Sequence, residues 1–250
     1  FPEHKNRFEV TGNPRFDLLR NEFTRAFEGD AAQYRERYGR YILINTNFGY
    51  VNTAWGQPED FERICAKVGY VDHSDPEDKK FLRDFLELET ENLAGFKRMV
   101  RALRDRFPEH QVVLRPHPAE NVTTWQDALA GEERIHVVFE GSAVPWMLGA
   151  DFFIHNTCTT GTEAMVLGVP VAAYAPFTNW VESIFLSNLV TPVQRDLESL
   201  LEAVAAGIAD RGKYVTDMHV EKGETLRQHI SSLGDRYAMA AIFRSIDQLP

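Results

Sequence analysis

The sequence predicts an α/β fold, a parallel sheet with helices on both faces, and two observations carry that prediction. From Arg40 onward, short β-branched and aromatic runs alternate with longer helical patterns, the order expected of βαβ units. The runs themselves, such as Val137-Val138-Phe139 and Phe152-Phe153-Ile154, are apolar without alternation. Strands covered on both faces read this way. In order, the strands are expected at 41–45, 111–115, 135–140, 151–155 and 169–174. Helices are expected between them at 58–68, 78–106, 143–148 and 160–167. After Tyr174 the pattern turns helical, with segments at 180–189, 195–209 and 223–248 that would pack across the sheet. The organisation that follows is a linker and helix at 1–39, a nucleotide-binding domain at 40–222 and a C-terminal helix at 223–250. The first residue is Phe rather than Met, and the expectation is that a preceding domain is missing from this sequence.

Composition narrows the function. With 250 residues, 44% hydrophobic and 26% charged, the chain can bury a sizeable core. Its formal charge of -10 argues against nucleic-acid binding, which needs a basic surface to displace phosphate counterions. Cys65 and Cys158 are the only cysteines, so neither a disulfide framework nor a zinc cluster is indicated. No metal-ligand spacing, P-loop or GxGxxG occurs, and no resident cofactor is expected. No run approaches the ~20 apolar residues of a membrane span. The expected location is the cytoplasm, with peripheral association at the inner membrane left open.

Ligands of open parallel sheets bind beyond the carboxyl ends of the strands, and the polar motifs fall there. The first is His155-Asn156-Thr157-Cys158-Thr159-Thr160-Gly161-Thr162-Glu163. Small hydroxyl residues and a glycine between a buried strand and a helix let backbone N–H groups approach a phosphate, helped by the positive helix end. Thr159, Thr160 and Gly161 are therefore candidate phosphate contacts, and Glu163, in the first turn, is a candidate for a ribose diol. The competing reading makes Thr159 a helix cap and Glu163 a partner of the helix dipole.

The second motif is Arg115-Pro116-His117-Pro118-Ala119-Glu120-Asn121. Prolines on both sides hold His117 at the strand end, where an imidazole can give a proton or a hydrogen bond to a leaving phosphate. His117 is the candidate catalytic residue. Arg115 either binds the nucleotide or pairs with a local carboxylate. In Asn45-Thr46-Asn47-Phe48-Gly49, Asn47 and Gly49 are candidate nucleotide contacts because of their place after the first strand, although Asn and Gly also form plain turns. Ser142, after the third strand, either offers a contact or caps the next helix. Thr178-Asn179-Trp180 is a candidate rim, and His155, inside an apolar strand end, is expected to be structural. Gly12-Asn13-Pro14 reads as a turn, with Asp17 capping a helix from Leu18.

Together, Gly12-Asn13-Pro14-Arg15-Phe16-Asp17, Arg115-Pro116-His117-Pro118 and Thr159-Thr160-Gly161-Thr162-Glu163-Ala164 resemble the bacterial surface-carbohydrate biosynthesis proteins. These are GT-B glycosyltransferase relatives close to the CMP-Kdo-dependent and sialic-acid-polymerising transferases. The resemblance implies a Rossmann-like C-terminal domain of a GT-B fold and a nucleotide-sugar donor, CMP-linked, with a glycan or lipid-linked acceptor. It implies that His117 meets the phosphate from one side, Thr159 and Thr160 from the other, and that Glu163 faces the ribose. The chain is also similar to the UDP-N-acetylglucosamine 2-epimerases at Gly12-Asn13, Asp17, His117 and Glu163-Ala164. It departs from them at Thr157-Cys158-Thr159, where they carry Ser-Gly-Gly. In both families the site lies between two domains, which implies that this chain alone binds nucleotide without completing catalysis. A non-catalytic nucleotide-binding module is the third reading.

Overall fold

Six strands form one all-parallel sheet in the order β3-β2-β1-β4-β5-β6 in a computed structural model that describes residues 8–230, 233 and 236–247. In chain order the elements are α1 (Pro14–Asp17), α2 (Asn21–Thr24), α3 (Glu28–Tyr38), β1 (Tyr41–Asn45), α4 (Pro58–Lys67), α5 (Pro76–Arg106) and β2 (Gln111–Arg115). They continue with α6 (Val122–Ala128), β3 (Ile135–Val137), α7 (Ala143–Gly149), β4 (Phe152–His155), α8 (Thr160–Leu167) and β5 (Val171–Tyr174). The last are α9 (Leu186–Val190), β6 (Val193–Gln194), α10 (Leu197–Ala209), α11 (Arg211–His229) and α12 (Ala238–Asp247). The order reverses between β1 and β4, which places a topological switch point, and hence a crevice, at the carboxyl ends of these two strands.

The period-two geometry of β1 splits the core. Ile42 and Ile44 face one side, where they pack with Phe96 and Met99 of α5, Trp125 of α6 and Leu200 and Val204 of α10. Tyr41 and Leu43 face the other, with Trp146 and Met147 of α7, Met165 of α8 and Met218 and Leu226 of α11. Both layers are buried, which is why the strands read as unbroken apolar runs. The register aligns Asn45 with Arg115 on one flank and His155 on the other. Three polar side chains thus end adjacent strands in one row.

The boundaries that differ from expectation have local causes. Strand β3 stops at Val137 rather than at 140, because its partner β2 ends at Arg115 and the chain then turns through Gly141 at φ +67°. Strand β5 begins at Val171, after Pro170, whose ring nitrogen has no hydrogen to give to a ladder. Helix α5 starts at Pro76 with the Asp75 carboxylate accepting the Glu77 N–H, and α10 starts at Leu197 behind the Asp196 cap. The helix expected at 180–189 is a 3-10 turn, Trp180–Ile184, followed by α9, with Phe185 extended between them. Strand β6 and helix α6 were not expected. Helix α11 begins at Arg211, capped by Asp210, well before the expected start at 223, and it ends at His229. Parts of the expected linker (1–7) and of the expected terminal helix (231–232, 234–235 and 248–250) lie outside the described residues.

Asp17 does not cap a helix from Leu18. Its buried carboxylate accepts the N–H groups of Ala238 (3.0 Å) and Met239 (2.9 Å) and so caps α12, 221 residues further along the chain. Asn13 caps α1 by accepting the Arg15 N–H at 2.9 Å.

Candidate functional site at the strand ends

A cleft of about 980 Å³ opens at the carboxyl ends of β1, β2 and β4. That is the size of a small-molecule pocket. The end of β2 and its loop contribute Arg115, Pro116, His117 and Pro118, and the loop after β4 with the start of α8 contributes Thr157, Cys158, Thr159, Thr160 and Glu163. Asn45 and Thr46 line it as well, and Ile184 to Ser187 form part of its rim in place of the expected Thr178 to Trp180. Thr178 and Asn179 serve their own loop instead, the first bonding Glu182 and the second capping the 3-10 turn.

His117 is held by its neighbours. Its backbone N–H donates to Glu120 Oε1 at 3.0 Å, and the Ala119 N–H donates to its Nδ1 at 3.1 Å. Since Nδ1 accepts, the ring proton of the neutral imidazole sits on Nε2. Burial pushes the His117 pKa down, against the nearby Glu120 charge that would raise it. The residue is therefore a neutral hydrogen-bond donor near pH 7 rather than a charged acid.

Arg115 does not pair with a carboxylate among the described residues. Its Nη2 donates to the carbonyls of Glu140 (3.2 Å) and Gly141 (2.9 Å), the guanidinium lies over Trp146, and Nε is buried without a partner. Burial lowers its pKa from the usual arginine value. A cation lining a cleft with no ion-pair partner among the described residues favours an anionic ligand. Asn45 Oδ1 and Ser187 Oγ, also on cleft residues, are buried without partners too.

The turn before α8 differs in detail from what its composition suggests. Thr159 has the position of the N-cap but helical backbone angles, and its side chain makes no cap bond, so the hydroxyl is exposed to the cleft. The Thr160 hydroxyl is engaged inside the protein: it donates to Cys158 Sγ (3.0 Å) and accepts from Asn45 Nδ2 (3.2 Å). The amides of Gly161, Thr162 and Glu163 bond the carbonyls of Cys158 and Thr159. Gly161 does not line the cleft; a Cβ there would lie 2.3 Å from His155 Nε2, so the glycine makes room for that ring. His155 is fully buried and bonded to the Thr191 hydroxyl at 3.0 Å, and burial drives its pKa down to about 3. Its other ring nitrogen, Nδ1, is buried without a partner. Burial raises the Cys158 thiol, which makes it a poor nucleophile.

Asn47, Gly49 and Ser142 do not line the cleft. Asn47 bonds Thr157 and Asn156, tying the loop after β1 to the one after β4. A side chain on Gly49 would press on Ala119, so this glycine lets two loops close together. Ser142 has the N-cap position of α7 without a cap bond.

Two residues that matter here were not legible in sequence. Arg15 reaches the cleft from α1 and forks onto Glu163, with Nε–Oε1 at 2.6 Å and Nη2–Oε2 at 3.1 Å. Its pKa is raised, chiefly by that hydrogen bond. Glu120, only 2% exposed, accepts from the Thr46 hydroxyl (2.6 Å), the His117 N–H (3.0 Å), Asn52 Nδ2 (3.2 Å) and Trp125 Nε1 (2.9 Å). It fastens the loops after β1 and β2 to α6. Glu89 does the same for the next segment, taking the N–H groups of Tyr50 and Val51; burial raises its pKa to about 8. Among the described residues no group of three or more His, Cys, Asp or Glu side chains could hold a metal ion, and no helix is long and apolar enough to cross a membrane.

Among solved structures, the chain superposes on the wall teichoic acid polymerase TagF, soaked with CDPG for 15 minutes, at a TM-score of 0.51 with 14% identity, over 98% of this chain and 50% of that one. The 30-minute soak gives 0.50 and 13%, over 97% and 50%. The chain has the fold of one GT-B domain. A putative UDP-N-acetylglucosamine 2-epimerase from Listeria monocytogenes superposes at 0.48 with 17% identity, over 96% of this GT-B domain and 54% of that chain. The chain therefore spans about half the length of the TagF structures it matches. No family model and no curated protein matches it.

Proposed function

We propose that the cleft binds the nucleotide of an activated sugar donor, CMP-linked, and that the domain serves metal-independent glycosyl transfer in bacterial surface polysaccharide synthesis. One observation carries this reading: the unpaired Arg115 cation, the neutral His117 donor and the exposed Thr159 hydroxyl line a single cleft at the switch point of a parallel sheet. The charge on the cleft fits one phosphodiester. Glu163 offsets Arg15 and the rim carboxylate Glu140 is offset by Arg37, leaving Arg115 as the excess charge, which matches the single negative charge of a CMP-linked sugar better than the doubled charge of a diphosphate. As the sugar departs, charge grows on the phosphate, and donors already fixed around it stabilise that charge without reorganising. His117 Nε2–H and Arg115 are those donors, Thr159 closes the opposite side, and Glu163 takes the ribose. The glycan or lipid-linked acceptor is assigned to surface outside this domain.

The test is calorimetric titration with CMP, UDP and GDP in the presence of a chelator. CMP should bind, and bind more tightly than the other two. If none of the three bound, or if binding required a divalent cation, the reading would fail.

A further inference from the structure

Transfer of a sugar to a hydroxyl releases a proton, and few groups in the cleft can take it. Among the described residues that line it, these are Glu140, Cys158, Glu163, His117 and His229. All but His229 are engaged. Glu163 carries the Arg15 fork on both oxygens, and Glu140 bridges Arg37 at 2.7 Å. His117 Nδ1 accepts the Ala119 N–H, and the Cys158 sulfur, its thiol pushed up by burial, accepts the Thr160 hydroxyl. His229 is the last residue of α11, exposed and on the cleft. Its Nδ1 lies 2.8 Å from the Thr225 carbonyl, which can only accept, so Nδ1 carries the hydrogen and the lone pair of the neutral ring sits on Nε2. The helix end beneath it is anchored by the buried Ile230, whose N–H donates to the Leu226 carbonyl. The two imidazoles of the cleft therefore present opposite polarity, an N–H from His117 and a lone pair from His229. They also enter from opposite sides. His117 follows β2, whereas α11 packs on α9, which follows β5, and β1 and β4 lie between.

We infer that His229 is the general base of the transfer: its Nε2 takes the proton of the acceptor hydroxyl, so that this domain carries the proton acceptor as well as the phosphate donors. This rests on the proposal that the cleft holds the nucleotide of a sugar donor. In the step, the acceptor oxygen bonds the anomeric carbon while the bond from that carbon to the CMP phosphate oxygen breaks. The electron pair leaves on the phosphate, where His117 Nε2–H and Arg115 meet it, and the hydroxyl proton passes to His229. A positioned base of this kind contributes about 10²–10⁴-fold in rate. An acceptor held by surface outside this domain needs only to bring one hydroxyl into the cleft, and water can stand in for it. The competing role is local: the bond to Thr225 satisfies a carbonyl at the end of α11, which basic side chains commonly do. That role alone would leave the transfer untouched.

The experiment follows CMP release from CMP-N-acetylneuraminate and from CMP-Kdo, with water as acceptor, a chelator present and a protein-free control, for the wild-type chain, His229→Ala and His229→Gln. Calorimetric titration with CMP and unfolding midpoints are measured in parallel. The wild type should exceed the control with at least one donor. His229→Ala should lose about a hundredfold of that excess while holding CMP within about twofold of the wild type. The glutamine variant, whose amide oxygen accepts a hydrogen bond but keeps no proton, should be equally slow, and added imidazole should restore release in the alanine variant. An alanine or glutamine variant as fast as the wild type, or a loss matched by a fall in CMP affinity, assigns His229 to the helix end and overturns the inference while sparing nucleotide binding. A wild type that binds CMP but releases it no faster than the control overturns it as well. A wild type that binds no CMP overturns the proposal and this inference together.

Discussion

Replacing Glu120 by Ala tests whether a buried carboxylate holds the His117 loop in place. Four donors converge on it. The Thr46 hydroxyl can rotate toward another acceptor, and Asn52 Nδ2 keeps its bond to the Asn121 carbonyl at 3.2 Å. The His117 N–H and the Trp125 Nε1–H have no such alternative and become buried donors without partners. Each costs about 1–3 kcal/mol, and the vacated volume adds to the cost, so a loss of about 3–5 kcal/mol is expected. Glu120→Gln keeps the shape but turns an NH2 group toward two donors, which should cost about 2–3 kcal/mol. Urea unfolding followed by tryptophan fluorescence measures both. At a slope near ~3 kcal/mol/M the alanine variant should lose about 1 M or more in midpoint, and CMP affinity should fall with it, because His117 hangs from the same carboxylate. A loss below about 1 kcal/mol in the alanine variant would refute the reasoning.

His117→Ala should weaken CMP binding by about tenfold or more while changing the unfolding free energy by less than about 1 kcal/mol, since the ring is only partly buried; paired titration and urea unfolding check this. Gly161→Ala should destabilise by about 1–3 kcal/mol despite alanine's better helix propensity, because the new methyl meets the fully buried His155 ring; a neutral or stabilising result in thermal unfolding would contradict it. Glu89 keeps its proton up to about pH 8 in the folded chain but loses it near 4.5 when unfolded. Its contribution is thus complete below pH 4.5 and declines as pH rises to about 8, by about 1.4 kcal/mol per unit; Glu89→Gln should remove that decline, as read from unfolding at pH 6 to 9. His155 acts in the opposite direction. Its folded pKa of about 3 lies below the ordinary 6.5, so stability falls as pH drops from 6.5 toward 3, and a variant with a non-titrating side chain at this position should flatten the acid limb of the same measurement.

The sheet was legible because burial on both faces leaves short unbroken apolar runs, which here alternate with longer helical patterns. Its last strand was not, since Val193–Gln194 is too short to carry a pattern. The break at Phe185 was hidden for a different reason: Glu182 draws Arg195 and Asn188 onto itself, and such a tertiary tie leaves no mark on helical periodicity. At the cleft, His117 and Thr159 were singled out from their place after strands, and both line it. Gly161 was noticed for a sound reason attached to the wrong partner, an imidazole rather than a phosphate. Arg15 and Glu120 escaped because their roles depend on contacts that spacing does not encode. Arg15 meets Glu163 across 148 residues, and Glu120 differs from any surface glutamate only in how many donors point at it.

The capping of the last helix by Asp17 sets the order in which the molecule can be assembled. The backbone amides that Asp17 needs belong to Ala238 and Met239, so during synthesis this tie cannot form until translation has passed them. The sheet and most of its helices can form before that point. The entropy of joining such remote stretches is met late, by a scaffold already largely built.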